Sequence, residues 1–342
     1  VTIRLAVQGA GLIGRRHVEY VVASDEASLC AIVDPAPATE GYAAAIGCSW
    51  FSDFASMLAA QRPDGVIVAT PNQMHVENGL ACIKAGIPVL VEKPIADTVQ
   101  SATLLVEAAE QAGVPLLVGH HRRHNPLITA AREAIDSGRL GRIVAVHGIC
   151  WFAKPDSYFA PASRRAKGAG PVLVNLIHDV DVLRALCGEI EQVQAMQSNA
   201  LRGHAVEETA AILLRFTSGA LGTLTVSDAV SAPWSWEFTS GENPDYTNTP
   251  ESCYQIGGTL GSLSVPGLDI WTHGETPDWW TPITKEALHS ERIPPLARQI
   301  CNFCGVIRGS EAPVVSGREG LATLKVIAAI KQAAETGHIV AV

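Results

Sequence analysis

Three glycines in Gly9-Ala10-Gly11-Leu12-Ile13-Gly14 stand at a spacing that can cradle phosphate. They follow a short apolar strand (Ile3, Leu5, Val7) and open a helix, the context that gives such a spacing meaning. The first glycine permits a tight turn, the second lets backbone approach a pyrophosphate, and the third lets helix pack on strand. The helix start, with Leu12 and Ile13 in it, adds unpaired N–H groups and a positive dipole end. A second apolar strand, Leu29 to Val33, ends at Asp34. A carboxylate there accepts from ribose hydroxyls and repels a 2′-phosphate. No Arg or Lys follows within ten residues, so NAD(H) is the expected cofactor rather than NADP(H).

Two further clusters carry proton chemistry. Lys93 lies between Glu92 and Pro94 at the end of a buried strand, where the proline keeps its backbone extended. A lysine so held can donate to a substrate hydroxyl and stabilise a developing alkoxide, or simply pair with a glutamate. Asn175 and His178 stand three apart and share a helix face; the imidazole can take a hydroxyl proton or sit in a core. The run His120-His121-Arg122-Arg123-His124-Asn125-Pro126 lacks the helical spacing of a zinc pair, and its arginines disfavour a cation, so no metal is expected. Contact with a carboxylate, phosphate or polyhydroxyl fits it better. Trp151, Lys154, Tyr158, Arg164 and Arg165 add aromatic faces and donors suited to a sugar-like or acidic ring, or to a salted surface loop.

The elements that must position these residues divide the chain. The first 120 residues predict strands near 3–8, 29–33, 65–70, 88–92 and 115–119, alternating with helices near 12–23, 39–46, 52–61, 73–85 and 98–112. That alternation implies a doubly wound parallel sheet with ligands beyond the carboxyl ends of its strands. Thr70-Pro71-Asn72, Glu92-Lys93-Pro94 and Gly119-His120-His121 all fall there. The pattern then changes. A helix over 126–137 leads to a strand over 143–152, a polar basic loop and a helix over 172–187. Antiparallel strands follow over 191–199, 207–216, 220–228, 251–257 and 262–265, then a closing helix over 318–336. Residues 231–250 read as a long loop or lid. The expected domains are 1–122, binding NAD, and 123–342, binding substrate and assembling copies.

The 342 residues carry a formal charge of −9 without basic runs, which gives no footprint for nucleic acid or a membrane surface. Apolar stretches are strand-sized, and the first residues enter a strand at once, so neither a membrane span nor export is expected. Eight cysteines without framework spacing fit reduced thiols in the cytoplasm. Cys301 and Cys304, in a helical segment, read as a core-facing pair.

Gly9-x-Gly11-x-x-Gly14-x-x-His17, Ala69-Thr70-Pro71-Asn72-x-x-His75, Glu92-Lys93-Pro94, Gly119-x-x-x-Arg123-x-x-Pro126 and Ile177-His178-Asp179 together resemble the glucose–fructose oxidoreductase/inositol dehydrogenase/rhizopine catabolism (Gfo/Idh/MocA) family. The resemblance spans essentially the whole chain. It implies a Rossmann domain, a C-terminal α+β domain whose large, mostly antiparallel open sheet joins a homodimer or homotetramer, and NAD(P)-dependent chemistry at a secondary alcohol of a sugar, inositol or related ring. By position, Lys93 corresponds to the family's active-site lysine and His178 to its general acid/base. Thr70, Asn72, His75 and Glu92 correspond to cofactor-pocket residues, and Arg122, with His121 before it, to a nicotinamide or substrate contact. Many members carry Asp four residues before the histidine; here Val174 stands there, and Asn175 is expected to fill that role. The expectation is a cytoplasmic NAD-dependent dehydrogenase of a sugar, inositol or sugar acid. The alternatives are a dihydrodiol or aromatic-catabolite dehydrogenase, or a glycosidase that cycles tightly bound NAD.

Overall fold

In the computed structural model, which describes residues 2–274 and 276–342, the chain gathers into two units. One runs through His124 and takes in Ile293–Leu324; the other comprises Asn125–Arg292 and Lys325–Val342.

In the first unit β1 (Ile3–Gln8), α1 (Leu12–Val22), β2 (Ala27–Val33), α2 (Ala38–Ala45), β3 (Ser49–Phe51), α3 (Phe54–Ala60), β4 (Gly65–Val68), α4 (His75–Lys84), β5 (Val89–Val91), α5 (Val99–Ala112) and β6 (Leu116–Val118) follow one another. The strands form one parallel sheet in the order β3-β2-β1-β4-β5-β6, the doubly wound arrangement expected. Val66, Ile67, Val68 and Val89, Leu90, Val91 are fully buried, as strands covered on both faces must be. The added strand β3, only three residues long, pairs with β2 at the sheet edge. The buried stripe of α1 is Gly14, His17, Val18 and Val21, one helical face. Thr98 caps α5 by accepting the Ser101 N–H, and Gly113 ends it at φ 63°.

The second unit contains α6 (Pro126–Asp136), β7 (Ile143–Trp151), α7 (Pro171–Val174), α8 (Leu176–Cys187), β8 (Ile190–Ser198), β9 (Thr209–Phe216), β10 (Leu221–Ser227), α9 (Trp236–Thr239), β11 (Tyr254–Gly258), β12 (Gly261–Val265), β13 (Asp269–Thr272) and β14 (Thr284–Ala287). After α10 (Pro295–Arg308), α11 (Gly317–Thr336) is divided between the units at Leu324, and β15 (Val340–Ala341) belongs to the second. Nine strands form a mixed sheet, β14-β13-β12-β11-β7-β10-β9-β8-β15, in which β7 and β10 run parallel and the other neighbours antiparallel. Along β9, Ala210, Ile212, Leu214 and Phe216 point inward in strict alternation. They join one core with Leu183 of α8 and Val326 and Ile330 of α11. The opposite face is open: Leu213 and Leu221 on it are 54% and 55% exposed.

Several expectations change in detail. The predicted helix over 172–187 breaks at Asn175 (φ −106°, ψ −58°), whose carbonyl accepts the His178 N–H in a tight turn. An asparagine in a helix interior tolerates such a break. The segment 231–250 is largely irregular, yet α9 forms in it and Trp236 is buried, stacked on Tyr254 at 6.1 Å. Strands β13 and β14 were not foreseen, since β14 (Thr-Lys-Glu-Ala) is exposed throughout and carries no apolar signal. The residues Ile293–Leu324, placed by sequence with the C-terminal domain, belong to the first unit. There Ile300, Phe303 and Cys304 of α10 enter the core of Leu5, Val7 and Ile67, while Cys301 is only half-buried rather than core-facing. No helix among the described residues is long and apolar enough to cross a membrane.

Candidate active site

The glycine loop is shaped by what its neighbours forbid. At Gly9 (φ 93°) a Cβ would lie 2.6 Å from the Ala69 carbonyl oxygen, and at Gly14 it would collide with the Gly9 carbonyl. At Gly11 it would meet nothing within 4 Å. Gly11 precedes α1, which has no side-chain cap and no acidic residue in its first turn. The loop therefore presents one open backbone position and uncapped helix N–H groups, a cradle suited to a pyrophosphate. Leu12 beside it is 90% exposed.

Asp34 closes the same mouth. Its Oδ2 accepts the Ala10 N–H at 2.7 Å, and its Oδ1 accepts from Ala36 N at 2.8 Å and Thr39 Oγ1 at 3.3 Å. A carboxylate offers about four lone-pair sites, so room remains for a ribose hydroxyl. These residues fit NAD: the cradle would hold its pyrophosphate and Asp34 its adenine ribose.

Among the remaining cofactor candidates, most hold one another. His75 is buried, with Nδ1 2.8 Å from the Pro94 carbonyl oxygen and Nε2 2.8 Å from that of Thr70. Thr70 Oγ1 accepts from Asn78 Nδ2 at 3.0 Å. Asn72 is the exposed member of this group. Glu92 is also buried: Oε1 lies 2.7 Å from His17 Nε2, and Oε2 accepts the Lys93 N–H at 3.0 Å. Burial alone would raise the Glu92 pKa. The His17 hydrogen bond and the charges of His17, His121 and Lys93 outweigh it and hold the carboxyl at about 2. Glu92 thus supports the glycine helix and the lysine backbone, and Lys93 itself is half-buried just beyond β5. His121 is half-buried and Arg122 is 3% exposed, both on a single 3-10 turn over His121–His124.

The second unit collects the other candidates. His178, 8% exposed, stands on the first turn of α8, and Asn175 marks the break before it. The Lys154 ammonium, expected among substrate contacts, reaches Asn175 Oδ1 at 2.8 Å and Asp228 Oδ2 at 3.5 Å instead. It lies 4.8 Å from the Tyr158 ring centroid, and the exposed Arg164 sits 4.2 Å over the same ring and donates to the Tyr158 carbonyl. Trp151 packs edge-on against Trp234. Asp179 is fully buried and accepts the Tyr254 hydroxyl at 2.5 Å. Sequence reasoning missed Asp228 and Arg202, whose only signal was the end of a predicted strand and a charged turn. It also gave no separate role to His17, although the spacing Gly14-x-x-His17 was visible.

A parallel sheet with a phosphate-binding glycine cradle, followed by a mixed-sheet unit, defines a dinucleotide-binding oxidoreductase architecture. The chain belongs to the GFO/IDH/MocA family: the profile of the oxidoreductase family's NAD-binding Rossmann fold matches residues 3–120, and that of the GFO/IDH/MocA C-terminal domain matches residues 128–264. The rhizopine catabolism protein MocA of Rhizobium meliloti is 32% identical over 186 residues, 54% of this chain. The match spans little more than half, 57%, of that relative's length. Inositol 2-dehydrogenase of Rhizobium meliloti (strain 1021) is 28% identical over 99% of both chains. The WlbA dehydrogenase of Bordetella pertussis, solved in complex with NADH and UDP-GlcNAcA, superposes with a TM-score of 0.81 at 27% identity, covering 100% of this chain and 99% of that one. The first unit is an NAD-binding Rossmann domain.

Two outcomes follow from this geometry. Gly11→Ala meets no neighbour, so its thermal midpoint stays with the wild type, while NADH affinity in a fluorescence titration falls roughly tenfold or more, about 1.4 kcal/mol. Glu92 titrates below its ordinary 4.5 in the fold, so its stabilisation is complete above that pH and is lost as pH falls toward about 2. Urea midpoints measured between pH 5.5 and 3 fall more steeply for the wild type than for Glu92→Gln; parallel slopes would contradict the pairing.

Proposed function

We propose that the protein is an NAD(H)-dependent oxidoreductase transferring hydride between nicotinamide and a secondary alcohol carbon of a sugar, inositol or sugar acid, with Lys93 and His178 serving the reacting oxygen. The observation that carries this reading is the hydrogen-bonded line from the cradle helix to the lysine. His17 of α1 binds Glu92, and Glu92 accepts the Lys93 N–H. That line holds the Lys93 backbone at the carboxyl end of β5, in the unit that carries the dinucleotide cradle. Inositol 2-dehydrogenase and the UDP-GlcNAcA-bound WlbA dehydrogenase among the relatives support the substrate class.

Bound NAD supplies the hydride acceptor in the oxidative direction. Lys93 donates a hydrogen bond to the substrate hydroxyl and stabilises the negative charge that grows on it. His178 takes the hydroxyl proton, and in the reverse direction returns it. Asn175 orients the ring hydroxyls so that the reacting carbon is presented in one pose.

We further propose that the open face of the nine-stranded sheet joins copies into a homodimer or homotetramer in the cytoplasm. Leu213 and Leu221, more than half exposed on that face, would be covered there.

Absorbance at 340 nm with a panel of inositols, hexoses, uronic acids and glycosides tests the activity. NADH forms with a free polyol or sugar; Lys93→Met and His178→Ala each lower kcat roughly 10²–10⁴-fold, and His178→Ala keeps its NADH affinity. Cleavage of a glycoside without net NADH would replace this reading by the glycosidase one. Light scattering gives two or four times the chain mass for the wild type and a single chain for Leu213→Glu/Leu221→Glu; a monomeric wild type would remove the assembly proposal.

A further inference from the structure

Lys154 follows β7, and its side chain is only 5% exposed. Its backbone N–H donates to the Asp228 carbonyl at 2.9 Å, and its ammonium lies between Asn175 Oδ1 (2.8 Å) and Asp228 Oδ2 (3.5 Å). Asp228, at the end of β10, is also held from the other side. Arg202 Nη1 donates to Oδ1 at 2.5 Å and Nη2 to the Asp228 carbonyl at 2.8 Å. Burial holds the Lys154 pKa below the ordinary lysine value, and the neighbouring Asp228 carboxylate works against that to keep the group charged.

An ammonium has donors and no acceptor, so the amide atom that faces it is the oxygen. This removes the usual ambiguity of an asparagine, whose oxygen and nitrogen look alike. With Oδ1 turned to Lys154, the two N–H bonds of Asn175 are directed away from it. A buried ion pair is a poor source of stability compared with apolar packing of the same volume. Its better-attested use is to select one conformation, and the group selected here is the amide at the break before the histidine helix.

We infer that Lys154 is a positioning residue that locks the Asn175 amide oxygen inward, so that Asn175 meets the substrate as a hydrogen-bond donor. This rests on the reading that Asn175 faces the substrate. The substrate atom beside Asn175 is then an acceptor, a hydroxyl, ether or carboxylate oxygen, and an ammonium group at that place is rejected. An aspartate at 175 would be drawn into an ion pair with Lys154 and would lose the donor altogether.

A double-mutant cycle tests the coupling. Lys154→Met, Asn175→Ala and the pair are assayed with the best substrate of the panel above, alongside NADH affinity and thermal midpoint. Lys154→Met lowers kcat/KM roughly tenfold or more with NADH affinity unchanged, and adding it to Asn175→Ala costs nothing further. Additive losses overturn the inference. Arg202 still neutralises Asp228 in Lys154→Met; should that variant not fold, Lys154→Gln, whose amide can present either end, takes its place in the same cycle. A second readout needs no turnover. In the NADH complex labelled with ¹⁵N-asparagine, the Asn175 side-chain signals are identified by their loss in Asn175→Ala. They move in Lys154→Met, and unmoved signals overturn the inference even if no substrate in the panel reacts. Inactivity of the wild type across the panel, by contrast, counts against the proposed activity alone.

Discussion

The carboxylate of Glu92 is the point on which the first unit depends. It accepts the Lys93 N–H and bonds His17 of the cradle helix. It also lies against the bare α-carbon of Gly119, where a Cβ would come within 2.8 Å of its carboxyl carbon. One buried charge thus ties the ends of β5 and β6 to α1. Removing either partner of such a pair leaves an uncompensated charge in a dry site, which is far costlier than never having placed it there. The glycines are the complement of this constraint: Gly9, Gly14 and Gly119 are small because backbone or carboxylate occupies the space beside them, and Gly11 because that space is left open.

Much of this unit was legible in the sequence because its signals are local. Uninterrupted apolar runs such as Val66–Val68 specify strands buried on both faces, and Gly9 to Gly14 specify a turn whose geometry only glycine permits. What was less legible is how the candidate residues divide their work. Thr70, His75 and Glu92 were expected at the cofactor, yet their polar atoms engage the Asn78 and His17 side chains and nearby backbone. A motif reports that residues occur together; it does not report which of them face outward.

The second unit was harder to read for a different physical reason. Its sheet is buried on one face only, so β9 shows clear alternation while edge strands such as β14 carry no apolar pattern at all. The charged cluster of Lys154, Asp228 and Arg202 comes from the ends of β7 and β10 and an intervening turn, separated by up to 74 residues. Pairings at that range leave no periodicity in the chain. Lys154 was expected to face a sugar-like or acidic ring or to lie in a salted surface loop, and only the fold reveals that it is enclosed beside a carboxylate and an amide.

The return of Ile293–Leu324 to the first unit has a temporal consequence. Phe303 and Ile307 of α10 lie where a side chain at Gly65 would have to go, and Ile300 and Phe303 share a core with Leu5. On a ribosome, β1 and β4 emerge long before the helix that covers them. Roughly 170 residues separate the two stretches of this unit, on the order of ten seconds or more of synthesis at about 5–20 residues per second. During that interval the flank of the parallel sheet beside Gly65 stands uncovered. The unit made first is therefore completed late, and the nascent chain carries an exposed apolar surface that shielding by chaperones, or provisional packing of its own, must protect from wrong partners.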